Sequence, residues 1–112
     1  MSLDLYLYVD VDTGGPEPFQ VNLFDRNITH NVTPMWHKAG VYDALYNSEG
    51  RLAGELVPVL ESGLADMAVN YLEYRKLNPP NGWGDYDSAY DFLLKFMQAC
   101  RKHPKSKVHV SK

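Results

Sequence analysis

The sequence predicts an α+β domain in which a small antiparallel sheet, an N-terminal hairpin plus a C-terminal strand, packs against about three to four helices. Three observations carry this prediction. Leu3, Leu5, Leu7 and Val9 alternate with Asp4, Tyr6, Tyr8 and Asp10, the period of two that a strand with one buried face requires. Leu52, Leu56, Val57, Leu60, Leu64, Met67, Ala68 and Tyr71 recur at helical spacing, as do Ala89, Phe92, Leu93, Phe96, Met97 and Cys100. Near the end, Val108 and Val110 alternate with Lys107, His109 and Ser111 as a short strand with the valines inward.

The connections follow from local chemistry. Asp12-Thr13-Gly14-Gly15-Pro16-Glu17-Pro18 is a turn cluster that no regular element crosses. Beyond it Phe19, Val21 and Leu23 alternate with Gln20, Asn22 and Phe24, giving the hairpin partner of the first strand. Thr33-Pro34 reads as an N-cap followed by proline at the first helical position, opening a helix through Trp36 to Ala39. Gly40 interrupts it, and Tyr42 to Tyr46 add a further turn or two before the Asn47-Ser48-Glu49-Gly50 loop. Pro58 lies inside the long helical pattern, so that helix either starts just before it or kinks there. Tyr71 to Leu77 extend the pattern toward the next loop. Asp85 or Asp87 caps the last helix, and Pro104 stops it.

A chain of 112 residues is one domain. It can bury about 60–70% of its unfolded surface, enough for a core without staples. Apolar content of 45% and charged content of 22% are ordinary for globular chains and exclude disorder. The net charge is −3 and no basic stripe is present, which disfavours duplex DNA as a partner. The basic run from Arg101 to Lys112 is expected to solubilise an edge strand. One cysteine excludes an internal disulfide and a four-thiolate metal site, and Cys100, beside Phe96 and Met97 on an apolar face, is expected to be buried and unreactive. Met1-Ser2-Leu3-Asp4 does not resemble a secretory leader, and no apolar run is long enough to span a bilayer, so a cytosolic protein is expected. The two sequons at Asn27 and Asn31 are then coincidental.

Two segments carry candidate binding chemistry. Asn27-Ile28-Thr29-His30-Asn31 is polar and precedes a helix, where free N–H groups favour polar or anionic ligands. The same residues can instead cap the helix and pack locally. Asn78-Pro79-Pro80-Asn81-Gly82-Trp83-Gly84-Asp85-Tyr86 is richer in proline and glycine than a spacer needs, so its backbone should hold one shape. Trp83 and Tyr86 offer flat faces, and Asn78 and Asn81 offer amides, a set that suits a planar, base-like ligand. Against this, Trp83 can be a core anchor and the asparagines can satisfy turn backbone. Asp10 and Asp12, with His30, His37 or His109, form a third set, but their spacing matches no metal-ligand pattern and a solvated loop entrance explains the carboxylates.

Taken together, Asn27-Ile28-Thr29-His30-Asn31-Val32, Ala39-Gly40-Val41-Tyr42, Ala44-Leu45-Tyr46, Asn78 to Gly84, and Ala99-Cys100 with Pro104 resemble a small uncharacterised family of bacteriophage and mobile-element proteins. Its pattern reads roughly ITHN, AGxY, LW, NPxNGWGxY and ACxxxP, and the likeness runs from about residue 20 to the C-terminus. The chain departs from it with Tyr46 where the pattern has tryptophan, and with Pro34-Met35-Trp36 at the first helix. The resemblance implies a phage-type accessory protein in the cytoplasm of a bacterial host, acting as a host-defence antagonist by sequestering a nucleotide immune signal or by binding a host protein.

The leading expectation is a binding protein without catalysis, cofactor or metal. Thr29, His30, Asn31, Asn78 and Asn81 would bond a small ligand such as a nucleotide, while Trp83 and Tyr86 stack on it. The alternative is a protein-interaction module presenting Trp36, Tyr42, Tyr46, Tyr71, Tyr74 and Tyr90, with a homo-oligomer compatible with either. A small hydrolase using His30 or His37 with Asp10 or Asp12 ranks last, because neither a nucleophile motif nor a metal spacing accompanies them.

Overall fold

The N-terminal alternation becomes the central strand of the sheet. The computed structural model describes residues Met1–Lys112 and places β1 (Ser2–Val11) between β2 (Phe19–Thr29) and β3 (Lys107–Ser111), with both pairings antiparallel. Leu3, Leu5 and Leu7 are fully buried on one face, with Ile28 of β2 and Val108 of β3 beside them. Completing the fold are a 3-10 turn (His30–Val32), α1 (Thr33–Ala39), α2 (Tyr42–Tyr46), α3 (Ala53–Val69), α4 (Tyr71–Arg75) and α5 (Tyr86–Lys102). A small antiparallel sheet packed against helices is therefore the architecture. Gly40 and Asn70 divide the helical stretches, so the helices number five.

β2 departs from its predicted form in two ways. It runs on to Thr29, so Asn27, Ile28 and Thr29 are strand residues paired with Asp4, Leu3 and Ser2. The pattern hid this because Arg26, opposite Leu5 on the helix-facing side, is a charge where a leucine would be expected. There it meets Asp91 of α5 at 3.1 Å. A register shift opposite Leu7 and Tyr8 also moves Phe24, not Leu23, onto the inner face, where its ring lies 5.8 Å from Phe96. Past Tyr8 the hairpin has no β3 neighbour and reaches beyond the helices, which makes the molecule 53 × 27 × 18 Å. Val11 and Phe19 on this arm are exposed.

The outer edge of β3 is closed by the loop leading into α3. Gly50 N–H donates to the Val108 carbonyl at 2.8 Å, and Val108 N–H donates to the Arg51 carbonyl at 3.0 Å. α3 begins at Ala53, with Pro58 inside its first turns, and packs on α5, whose apolar stripe includes Phe92, Leu93, Phe96 and Cys100. The close approach of the α1–α2 corner to α3 depends on Gly63, where an added Cβ would lie 2.4 Å from Val41 Cγ1. Val41 is fully buried and β-branched, so it has little room to turn aside.

Helix propensity alone predicts that Gly63→Ala stabilises the protein by about 0.5–1 kcal/mol. The crowding against Val41 reverses the sign. We expect a net loss of about 1–2 kcal/mol, read as a lower urea midpoint with an unchanged slope.

Candidate functional site

The end of β2 and the loop before α5 meet at one corner of the molecule. Thr29, extended at φ −62° and ψ 146°, turns its hydroxyl oxygen to accept the Asn31 N–H at 3.2 Å, which starts the 3-10 turn. The Thr33 hydroxyl donates back to the His30 carbonyl, so Thr33 anchors the turn instead of capping α1. On the other side, Asn81 Oδ1 accepts the Trp83 N–H at 2.9 Å and Asn78 Oδ1 accepts the Tyr86 N–H at 2.8 Å. These two bonds fold the proline-rich loop on itself. Gly84 then lies directly on the β2 end. Its φ is 89°, and an added Cβ would stand 2.6 Å from Thr29 Cγ2 and 3.0 Å from Val32 Cγ1.

This contact sets the position of Trp83. Its side chain is not core: the residue is 69% exposed. It borders an open hollow of about 380 Å³ whose other walls are Met1, Ser2, Asn27, Thr29, His30 and Asn31. The two polar segments predicted from sequence thus converge. No Asp or Glu lines the hollow.

His30 is held from behind. Its Nδ1 lies 2.7 Å from the Tyr46 hydroxyl, and burial is the main effect pushing the Tyr46 phenol above its usual range, so it keeps its proton. Tyr46 stacks on Tyr42 at 4.5 Å between ring centres, and Tyr42 on His37 at 4.2 Å. A column of four rings therefore runs from His37 to His30. Tyr46 supports the hollow through His30 without lining it.

Of the predicted site residues, Thr29, His30, Asn31 and Trp83 share the hollow, and Asn78, Asn81 and Tyr86 do not. The asparagines lend their carbonyl oxygens to the loop. Tyr86 is buried, and its hydroxyl donates to the Met67 carbonyl at 2.7 Å, so its ring belongs to the core. Met1 and Ser2 are wall residues that the sequence reading missed. The hairpin register held the signal, because Ser2 pairs with Thr29.

The acid–base set is not assembled. Asp10 and Asp12 are exposed on the hairpin arm, where Asp12 Oδ1 accepts the Gly14 N–H at 2.8 Å. His30 and His37 belong to the ring column, and His109 pairs with Glu49. No group of three His, Cys, Asp or Glu side chains is placed to hold a metal. Cys100 is buried, and desolvation pushes its thiol up to about 12, so the thiolate is scarce at neutral pH. Among family models, curated proteins and solved structures, none matches this chain.

Asp85 closes the loop as the N-cap of α5. Its Oδ1 accepts the Ser88 N–H at 2.7 Å, and that backbone bond is the main cause of its lowered pKa. Because the folded value is depressed, the cap's contribution is present above the unfolded value near 3.8 and is lost as pH falls through the folded one. Asp85→Ala should cost about 1 kcal/mol at pH 7. Asp85→Asn should keep most of that while flattening the acid limb of stability against pH, as followed by urea melts from pH 7 to 2.

Proposed function

We propose that this protein binds a small, planar, polar ligand in the hollow between the β2 end and Trp83. One observation carries the reading: a large, mostly exposed indole stands over polar walls on a loop that its own asparagines and Gly84 hold in place. Fixed, exposed aromatic groups beside hydrogen-bonding side chains are a common means of gripping heterocycles. Asn27, Thr29, His30 and Asn31 supply donors and acceptors for the ligand's edge, while the indole supplies a face. The lack of carboxylates in the lining leaves a phosphate-bearing ligand unopposed, so a nucleotide or nucleotide-derived signal suits it best. Such a guest fits the role of a phage-type accessory protein that removes a host signal.

A second reading, a protein-interaction module, keeps Tyr71 of the aromatic set the sequence suggested and loses three of the others. Trp36 and Tyr74 are fully buried and Tyr46 nearly so, which removes them from the surface. Val69, Tyr71 and Leu72, around the α3–α4 junction, are exposed and present an apolar corner to solvent. Sedimentation at high concentration tests whether that corner joins two copies. A strict monomer counts against self-association there.

The ligand reading is tested by thermal unfolding against a panel of nucleotides, cyclic dinucleotides and ADP-ribose derivatives. A ligand at 100 times its Kd should add roughly 2.7 kcal/mol and raise the midpoint by roughly 10 °C. Trp83→Ala should abolish that rise while leaving the free protein's midpoint within about 2 °C, since little of the indole is buried. A flat panel, or a Trp83→Ala protein that still responds fully, overturns the proposal.

A further inference from the structure

The sheet face that the helices leave bare carries a second hollow, of about 440 Å³, well separated in chemistry from the first. Its walls are Tyr6 and Tyr8 of β1, Gln20 and Asn22 of β2, His109 and Ser111 of β3, and Glu49 from the loop before α3. Tyr6 and Tyr8 point to the same side because they are two residues apart on a strand, which spaces them by about 7 Å. The His109 ring lies 5.5 Å from that of Tyr6. Together these rings give the hollow an aromatic floor.

Glu49 organises the polar groups. Its carboxylate accepts the Val110 N–H at 2.8 Å and faces His109 Nδ1 at 3.0 Å. The backbone bond from Val110 is the main cause of a lowered Glu49 pKa, so the carboxylate is ionised at neutral pH and can only accept. The proton between them therefore sits on Nδ1. In the Nδ1–H tautomer of an imidazole Nε2 is the acceptor, and Gln20, Asn22, both phenols and Ser111 add further acceptor oxygens.

Charge decides what such a hollow admits. No Lys or Arg lines it. By register the same sheet face carries Asp4, Asp10 and Asp25, against Lys107 as its one cationic position. A phosphate would meet net repulsion here. A planar cation would meet rings to stack on and acceptors to bond.

We infer that this hollow is a second binding site, for a guanidinium group such as the arginine side chain of a partner peptide. A guanidinium has only donors, arranged in a flat fork, and stacks on aromatic faces. Lysine offers a compact point charge without that plane. The inference does not depend on the nucleotide reading, because the two hollows share no residue.

The test is calorimetric titration of the full chain with a capped peptide of alternating arginine and glycine, and with its lysine counterpart. The arginine peptide should bind more tightly by at least about fivefold and should weaken as salt rises. Glu49→Gln keeps an acceptor for Val110 N–H and removes the charge, and should weaken binding by about tenfold. Tyr8→Ala should weaken it by at least about fivefold, while Tyr8→Phe, which keeps the ring, should not. Trp83→Ala should leave it unchanged. Circular dichroism confirms that each variant is folded. No binding, equal binding of the lysine peptide, or full binding by folded Tyr8→Ala overturns the inference, the second and third outcomes meaning attraction to an acidic surface alone.

Discussion

Leu3, Leu5 and Leu7 occupy the middle strand of a sheet with only three strands, and that placement constrains everything around them. Burying three leucines on one face brings the long helices to that side. It also leaves the other face, with Tyr6, Tyr8 and the aspartates around them, open to water. Each strand beside β1 brings a different part of the chain to it. β2 delivers Asn27 to Thr29 to the corner where the Trp83 loop sits, and β3 delivers His109 to the open face. Both hollows thus follow from the one alternation at the start of the chain.

The two sites are kept apart by electrostatics as well as by distance along the sheet. One is lined by amides, hydroxyls and an imidazole, without a carboxylate. The other is bordered by carboxylates and has no Lys or Arg in its lining. Their rigidity also has different origins. Trp83 is positioned by side-chain-to-backbone bonds within its own loop and by the seating of Gly84 on Thr29. His109 is positioned by a residue sixty places away in the sequence, through Glu49. Exposed ion pairs such as Arg26–Asp91 and Arg101–Glu61, which tie α5 to β2 and α3, contribute little to stability, each about 0–1 kcal/mol.

Much of the fold was legible because β1, α3 and α5 have strong, uninterrupted periods that core burial enforces. The second half of β2 was not, since Arg26 reaches Asp91 from a position where the pattern called for an apolar residue. The bulge near Leu23 shifts the strand's parity without leaving a mark in composition. At the candidate site, the meeting of the two polar segments was readable as a possibility, and the exposure of Trp83 could only come from the packing. Tyr86 was misassigned to the ligand although its spacing to Ala89, Leu93 and Phe96 already placed it on the buried stripe of α5. The Glu49–His109 pair has no local signature. Loop and strand meet only after the sheet is complete.

That last point bears on how the chain reaches its native state. The pairing of β1 with β3 joins Asp4 to Ser111, so the central strand acquires its second neighbour only by closing a loop that contains all the helices. Loop-closure entropy must be met before those hydrogen bonds can offset it. The hairpin and the α3–α5 pair can form early from nearer contacts, yet until β3 docks, one edge of β1 stays unpaired and open to association with another chain. Refolding should therefore be slow for a protein of this length, and the yield should depend on concentration even where the finished fold is stable.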